Sequence, residues 1–242
     1  MRLAVKLVIK GWIDLNSRQA NWRDWPFMTY GIIAICVVVF LVETMWPGGS
    51  TNAQTLMALG ANVAPLVKNG QPWRLFTAMW LHIGFMHLLL NMVSLYYVGI
   101  NLERIYGHAK FLLIYLYSGL TGNLFSYWHA LRTQQITVAA GASTAIFGVF
   151  MATAVLYVTM DNPYIRQYAR AMWAVIVVNL IFNLIPGAGV DIFGHLGGII
   201  GGALAAFTLA PWGNRFNFKL PAESAMFGVL AVATAGLAVY LL

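Results

Sequence analysis

Charge is scarce in this sequence. Only 9% of its 242 residues are Asp, Glu, Lys or Arg, and just 7 are acidic. A soluble domain covers its surface with charges at roughly a quarter or more of its positions, so that class is excluded. Cysteine is rarer still. Cys36 stands alone, which excludes an intrachain disulfide and a zinc cluster built on thiolates; inside an apolar run it reads as packing. There is no His-Glu-x-x-His zinc pattern. No pair of acids lies deep in an apolar run, because Glu43 and Glu103 fall near the ends of theirs. Internal repeats, low-complexity tracts and stripes of Lys/Arg interleaved with aromatics are also missing. The first of these absences speaks against a repeat-built transporter and the last against nucleic-acid binding.

Apolar residues make up 60% of the chain, and the mean hydropathy is +0.73. They come in long blocks rather than at an amphipathic period. A bilayer core of about 30 Å takes about 20 apolar helical residues to cross. Seven spans are predicted, at 27–46, 81–102, 109–129, 142–160, 169–185, 192–211 and 224–242. The first starts too late and runs too long for a cleaved signal peptide. The net charge of +7 is topological. With the N-terminus in the cytoplasm and the spans alternating, eleven basic residues fall inside and only Lys68, Arg74 and Arg132 outside, the bias that orients membrane proteins. Residues 1–26 read as a cytoplasmic arm whose Trp12, Trp22 and Trp25 suit a membrane surface. The long connection 47–80 mixes Gly, Pro and Asn with apolar stretches, so it is expected to form short interfacial pieces. The expected fold is all-α, a polytopic membrane helix bundle, with 27–211 as its core and 212–242 as a linker and last span.

Polar groups inside membrane helices are costly and raise a question of function. His87 and Asn91 are four apart and share one helix face. Helix-to-helix hydrogen bonding explains that pair about as well as chemistry does. Gly141-Ala142-Ser143-Thr144 places a serine at a helix start, where unpaired N–H groups and the dipole favour a developing oxyanion; an ordinary serine cap would look the same. His195, Gly198 and Gly202 lie on one face, and the glycines have the spacing that lets another helix backbone come close. Ala145, Gly148 and Ala152 form a matching smooth face beside Ser143. In the alternating topology His87, Ser143 and His195 fall in one shallow layer under the outer surface. Amide hydrolysis needs a nucleophile, a proton shuttle and an oxyanion site. Ser143 can attack, His195 can move the proton, and His87, Asn91 and the Ser143 N–H can hold the oxyanion. Asp191, one turn before His195, is a weak candidate for a third member and reads better as a helix-start residue.

Taken together, these residues resemble the rhomboid proteases. The resemblance spans roughly 27–211 and rests on Trp73-Arg74, His87 with Asn91, Gly141-Ala142-Ser143, and His195 followed by Gly198 and Gly202. His82 falls where the family carries a second, structural histidine, and Glu103-Arg104 with Gly107 looks like its inner-end signature. The resemblance implies a six-helix core plus one C-terminal transmembrane helix. It further implies a Ser143–His195 dyad without an acid, an oxyanion site of His87, Asn91 and the Ser143 N–H, and Gly141 as the loop residue that permits the tight turn. It implies single-pass transmembrane proteins as substrates, no cofactor, no metal, and a multi-pass place in a bacterial inner membrane with the active site near the outer face. One departure is Phe147, where bacterial members often carry a tyrosine stacked on the histidine. A catalytically inactive relative that binds membrane helices for trafficking or quality control is the alternative; such relatives lose the serine or the histidine, and both are present here.

Overall fold

The computed structural model describes residues 25–185 and 189–210, with scattered positions between 227 and 236. Residues 1–24 of the arm and most of 212–242 therefore lie outside the described residues. Among the described residues the chain is helical apart from one antiparallel bridge between Asn62 and Ala139. The helices are α1 (Phe27–Met45), α2 (Ala53–Leu59), α3 (Ala64–Lys68), α4 (Arg74–Thr77), α5 (Phe85–Ser94), α6 (Ile100–Tyr106), α7 (His108–Thr133), α8 (Ser143–Thr159), α9 (Pro163–Asn183) and α10 (Ile192–Leu209). Four stretches, Phe27–Met45, Phe85–Tyr106, Pro163–Asn183 and Ile192–Leu209, are long and apolar enough to cross a bilayer. The protein is an all-α integral membrane bundle.

Span ends shift by up to six residues from expectation, most tellingly at two starts. The second span begins at Phe85, not at 81, because Gly84 turns with φ +80° and ends the preceding loop. It continues through a π-helical turn, Leu95–Gly99, into α6. The fifth begins at Pro163, six residues before the predicted start. Asn162 caps it by accepting from Tyr164 N and Ile165 N, and proline suits a first helical position whose N–H has no intrahelical partner. Arg166 is thus helical rather than in a loop. Hydropathy misses such a start because the first turn of a span lies in the polar interface.

α1 opens at Pro26 with no cap of its own. Its cap comes from across the bundle. The buried Glu103 carboxylate accepts from Met28 N (2.9 Å), Thr29 N (2.8 Å) and Thr29 Oγ1 (2.6 Å) and also contacts His108 Nδ1. A carboxylate at a helix N-terminus satisfies orphan donors and meets the positive end of the dipole. At the other end of α1 the fully buried Glu43 accepts from the His82 N–H. Both acids read as marginal span-end residues in the sequence. In the fold each holds the backbone of a different segment.

Segment 47–80 does fold as short helical pieces, and Arg74 pins them. Its Nη1 donates to the Met57 and Ala61 carbonyls at 2.7 and 3.0 Å and its Nε to Gln71 Oε1 at 2.7 Å. The bridge between Asn62 and Ala139 ties this loop to the strand-like approach to Ser143. Asn62 Nδ2 donates to the Asn123 carbonyl, and Asn123 Nδ2 to the Leu75 carbonyl, both inside the protein.

α8 is the central post, buried along nearly its whole length. α10 lies against it and against α7 along two glycine faces. On one, a methyl group built at Gly198 would strike the Thr144 carbonyl oxygen, and one at Gly202 the backbone of Gly148. On the other, Gly197 and Gly201 meet Thr121, and Thr121 Oγ1 donates to the Gly197 carbonyl at 3.2 Å. The first seam was expected, with one amendment: the α8 contacts are Thr144 and Gly148, while Ala145 turns toward Gly119 of α7. With no hydrophobic drive between helices in lipid, contact of this kind supplies the association energy. Replacing Gly198 by Leu forces the two backbones apart. Overpacking costs about 1–3 kcal/mol or more, so this variant is expected to show a lower thermal midpoint in detergent than the wild type, together with lost activity in the assay described below.

Candidate active site

Ser143 is the first residue of α8. Ala142 occupies the capping position and no side chain caps the helix, so the serine hydroxyl is not spent on its own helix end. His195 lies one turn into α10 and is buried, at 5% exposure. Its Nε2 stands 2.8 Å from Ser143 Oγ. The close packing of α8 and α10 at Gly198 places the two residues together, since Thr144 and Gly198 each lie within three positions of them.

The ring of Phe147 stacks on the His195 imidazole, with centroids 4.1 Å apart and planes 20° from parallel. It limits rotation of the imidazole without offering a hydrogen bond. The other ring nitrogen, Nδ1, lies 2.7 Å from the side-chain amide of Asn183, the last residue of α9. Asn183 escaped the sequence reading. It sits twelve residues before His195 at the end of a different span, and no local spacing connects the two.

His87 approaches from α5. The Ile83 N–H donates to its Nδ1 at 3.3 Å, which leaves the proton of the neutral ring on Nε2. That edge faces Gly141: a methyl group built there would lie 2.7 Å from His87 Cε1 and 3.0 Å from Nε2. Gly141 has φ +151°, and its N–H donates to the Ala78 carbonyl at 2.9 Å. Glycine is needed here for both the backbone conformation and the space. Ser143, His195, His87 and Gly141 therefore converge, with the N–H groups of the first turn of α8 beside them.

Two sequence candidates make their hydrogen bonds elsewhere. Asn91 uses its amide to donate to the His87 carbonyl of its own helix at 2.9 Å. Asp191 is the cap of α10, accepting from the Gly194 N–H at 2.9 Å, and makes no contact with the His195 ring, in keeping with its reading as a helix-start residue. His82 is fully buried with its ring centroid 5.4 Å from that of His87. Among the described residues no three His, Cys, Asp or Glu side chains gather as a metal site.

A serine hydroxyl on an imidazole, with donors around both, is an acyl-transfer arrangement. The profile of the Rhomboid domain matches residues 69–212. The chain belongs to the rhomboid family. Over 221 residues it is 38% identical to Rhomboid protease GluP of Bacillus subtilis, an alignment that takes in 89% of this chain and 42% of that protein. It is 39% identical over 199 residues to Rhomboid-like protease 3 of Toxoplasma gondii, covering 80% of this chain and 72% of the relative. RHOMBOID-like protein 7 of Arabidopsis thaliana is 38% identical over 224 residues, covering 80% and 69%. The chain thus spans less than half the length of GluP and more than two thirds of the other two.

The rhomboid core holds His87, Ser143 and His195 from three helices, and Gly141 is where a small change meets two of them, His87 and Ser143. Gly141→Ala pushes on the His87 ring and strains the approach to Ser143. A displacement on the ångström scale near reacting groups costs about 10- to 100-fold in rate. A fall of that size in kcat with little change in thermal midpoint is expected, measured on the reporter introduced next; unchanged kcat means that His87 and Gly141 do not share the reacting site.

Proposed function

We propose that the chain is an intramembrane serine endopeptidase that cuts single-pass membrane proteins in or near their transmembrane segments, with Ser143 as nucleophile and His195 as general base. The observation that carries the reading is the 2.8 Å separation of Ser143 Oγ and His195 Nε2 in a buried setting. In the first step Ser143 Oγ attacks the scissile carbonyl while Nε2 takes its proton and hands it to the leaving amine. Water, deprotonated in turn by His195, then releases the acyl group from Ser143. The charge on the carbonyl oxygen is met by the Ser143 N–H and by the Nε2–H of His87. Asn91 joins them once its amide leaves the His87 carbonyl. Each well-placed donor is worth about 3–4 kcal/mol in such a site. This chemistry calls for no cofactor or metal.

The distribution of basic residues supports a cytoplasmic N-terminus, which puts Ser143 toward the outer face of the membrane, and a bacterial inner membrane suits this layout. The partners are then the substrate helix and the lipid around it, not nucleic acid. The inactive, helix-binding alternative is disfavoured because both members of the dyad are present and within hydrogen-bond distance.

The test is cleavage of a single-pass reporter by the purified chain, with the cut site mapped by mass spectrometry. Ser143→Ala and His195→Ala are each expected to lower cleavage by roughly 10⁴-fold or more with thermal midpoints near that of the wild type. A fluorophosphonate is expected to label Ser143 and no other residue. Cleavage retained in Ser143→Ala removes the proposal.

A further inference from the structure

Histidine that accepts a proton at Nε2 must carry its own proton on Nδ1 while neutral. Something must fix that choice, because free imidazole exchanges readily between the two tautomers. In serine hydrolases with a third member, an acid beyond Nδ1 does so. Here Asp191 is engaged at the Gly194 N–H, and Phe147 covers the face of the ring without a polar atom. Among the described residues the partner of Nδ1 is Asn183, whose amide is placed with its nitrogen Nδ2 2.7 Å away. An amide can present either its oxygen or its nitrogen at that position after a half-turn about its last side-chain bond, and which one does so is an assignment made from the surrounding network. The two choices have opposite consequences. With the amide nitrogen donating to Nδ1, the ring proton sits on Nε2, points at Ser143 Oγ, and cannot be replaced by the serine proton. With the amide oxygen accepting from Nδ1–H, Nε2 offers a lone pair to the serine hydroxyl.

Resting on the protease reading above, we infer that Asn183 is a positioning residue of the dyad: its Oδ1 accepts the His195 Nδ1–H, selects the reactive tautomer and holds the ring plane toward Ser143. The reactive unit is then drawn from α8, α9 and α10, with a neutral amide in the place of an acid. A neutral partner suits membrane depth, where an unpaired carboxylate would be costly. The neighbouring Asn179 shows the contrast. Its amide donates to the Val175 carbonyl of its own helix at 2.8 Å, the ordinary use of asparagine in a membrane helix, whereas Asn183 reaches across to another helix.

The experiment compares the wild-type chain with Asn183→Leu, Asn183→Ala and Asn183→Asp on the single-pass reporter, with kcat and KM separated. It also follows the rate of fluorophosphonate labelling at Ser143 and the thermal midpoint. Leu and Ala are expected to lower kcat and the labelling rate about 10- to 100-fold, with KM within about two-fold. Asp can accept and not donate, and is expected to stay within about five-fold of the wild type. The inference is overturned if Leu and Ala match the wild type, if Asp is as impaired as Leu, or if the losses track a fall in thermal midpoint. Ser143→Ala in the same series separates this from the protease reading. If Ser143→Ala is inactive while the Asn183 variants are unimpaired, only the positioning role fails; if Ser143→Ala cleaves like the wild type, the reading beneath it fails.

Discussion

The approach of α10 to α8 governs the rest of the structure. Gly198 lies against the Thr144 carbonyl and Gly202 against Gly148, so the separation of the two helices is set by backbone touching backbone. No side chain is available to yield. A hydrogen bond such as that between Ser143 and His195 tolerates only a few tenths of an ångström, and two helices held apart by flexible side chains would not keep it. Glycine is usually unfavourable inside a helix. In a bilayer, where lipid and leucine are equally apolar, the cost is offset by van der Waals contact along the seam. The second glycine face of α10, turned to α7 at Gly197 and Gly201, removes the remaining freedom of α10 to roll.

A second constraint positions the loop that ends at the serine. Arg74 gathers the carbonyls of Met57 and Ala61, Asn62 pairs with Ala139, and the Gly141 N–H is held by the Ala78 carbonyl. These contacts link the segment after α1 to the segment before α8, so a region that looks like a long connection in the sequence is the wall of the site. Buried polar groups of this kind are justified by being satisfied. The same holds for Glu43 and Glu103, whose carboxylates replace missing helix partners on the backbones of His82 and of α1.

Much of this was legible in the residues, for identifiable reasons. The glycine spacing at Gly198 and Gly202 encodes the seam directly, because only a missing side chain permits that contact, and the seam brings His195 to Ser143. The pair His87 and Asn91 was visible from its four-residue spacing, although Asn91 turns out to bond its own helix. What could not be read was relational. Asn183 reaches His195 because α9 ends beside α10, a juxtaposition that no local spacing encodes. Glu43 and Glu103 read only as marginal span-end acids, and nothing local shows that another segment's backbone needs them. Ala145 was assigned to the wrong neighbour since a smooth stripe does not reveal which of two helices it faces.

The π-helical turn at Leu95–Gly99 divides the second span into halves with separate duties. Upstream, His87 faces Gly141 beside the serine; downstream, Glu103 faces the start of α1. A π turn holds one more residue than the α-helix it interrupts, and each residue rotates a helix by about 100°. Loss of a single codon anywhere in this stretch would restore an unbroken α-helix. His87 would keep its place and so would Glu103, because the residue lost and the turn lost cancel in helical phase. The turn thus lets the span carry one extra residue between its two duties without changing how either half is aimed.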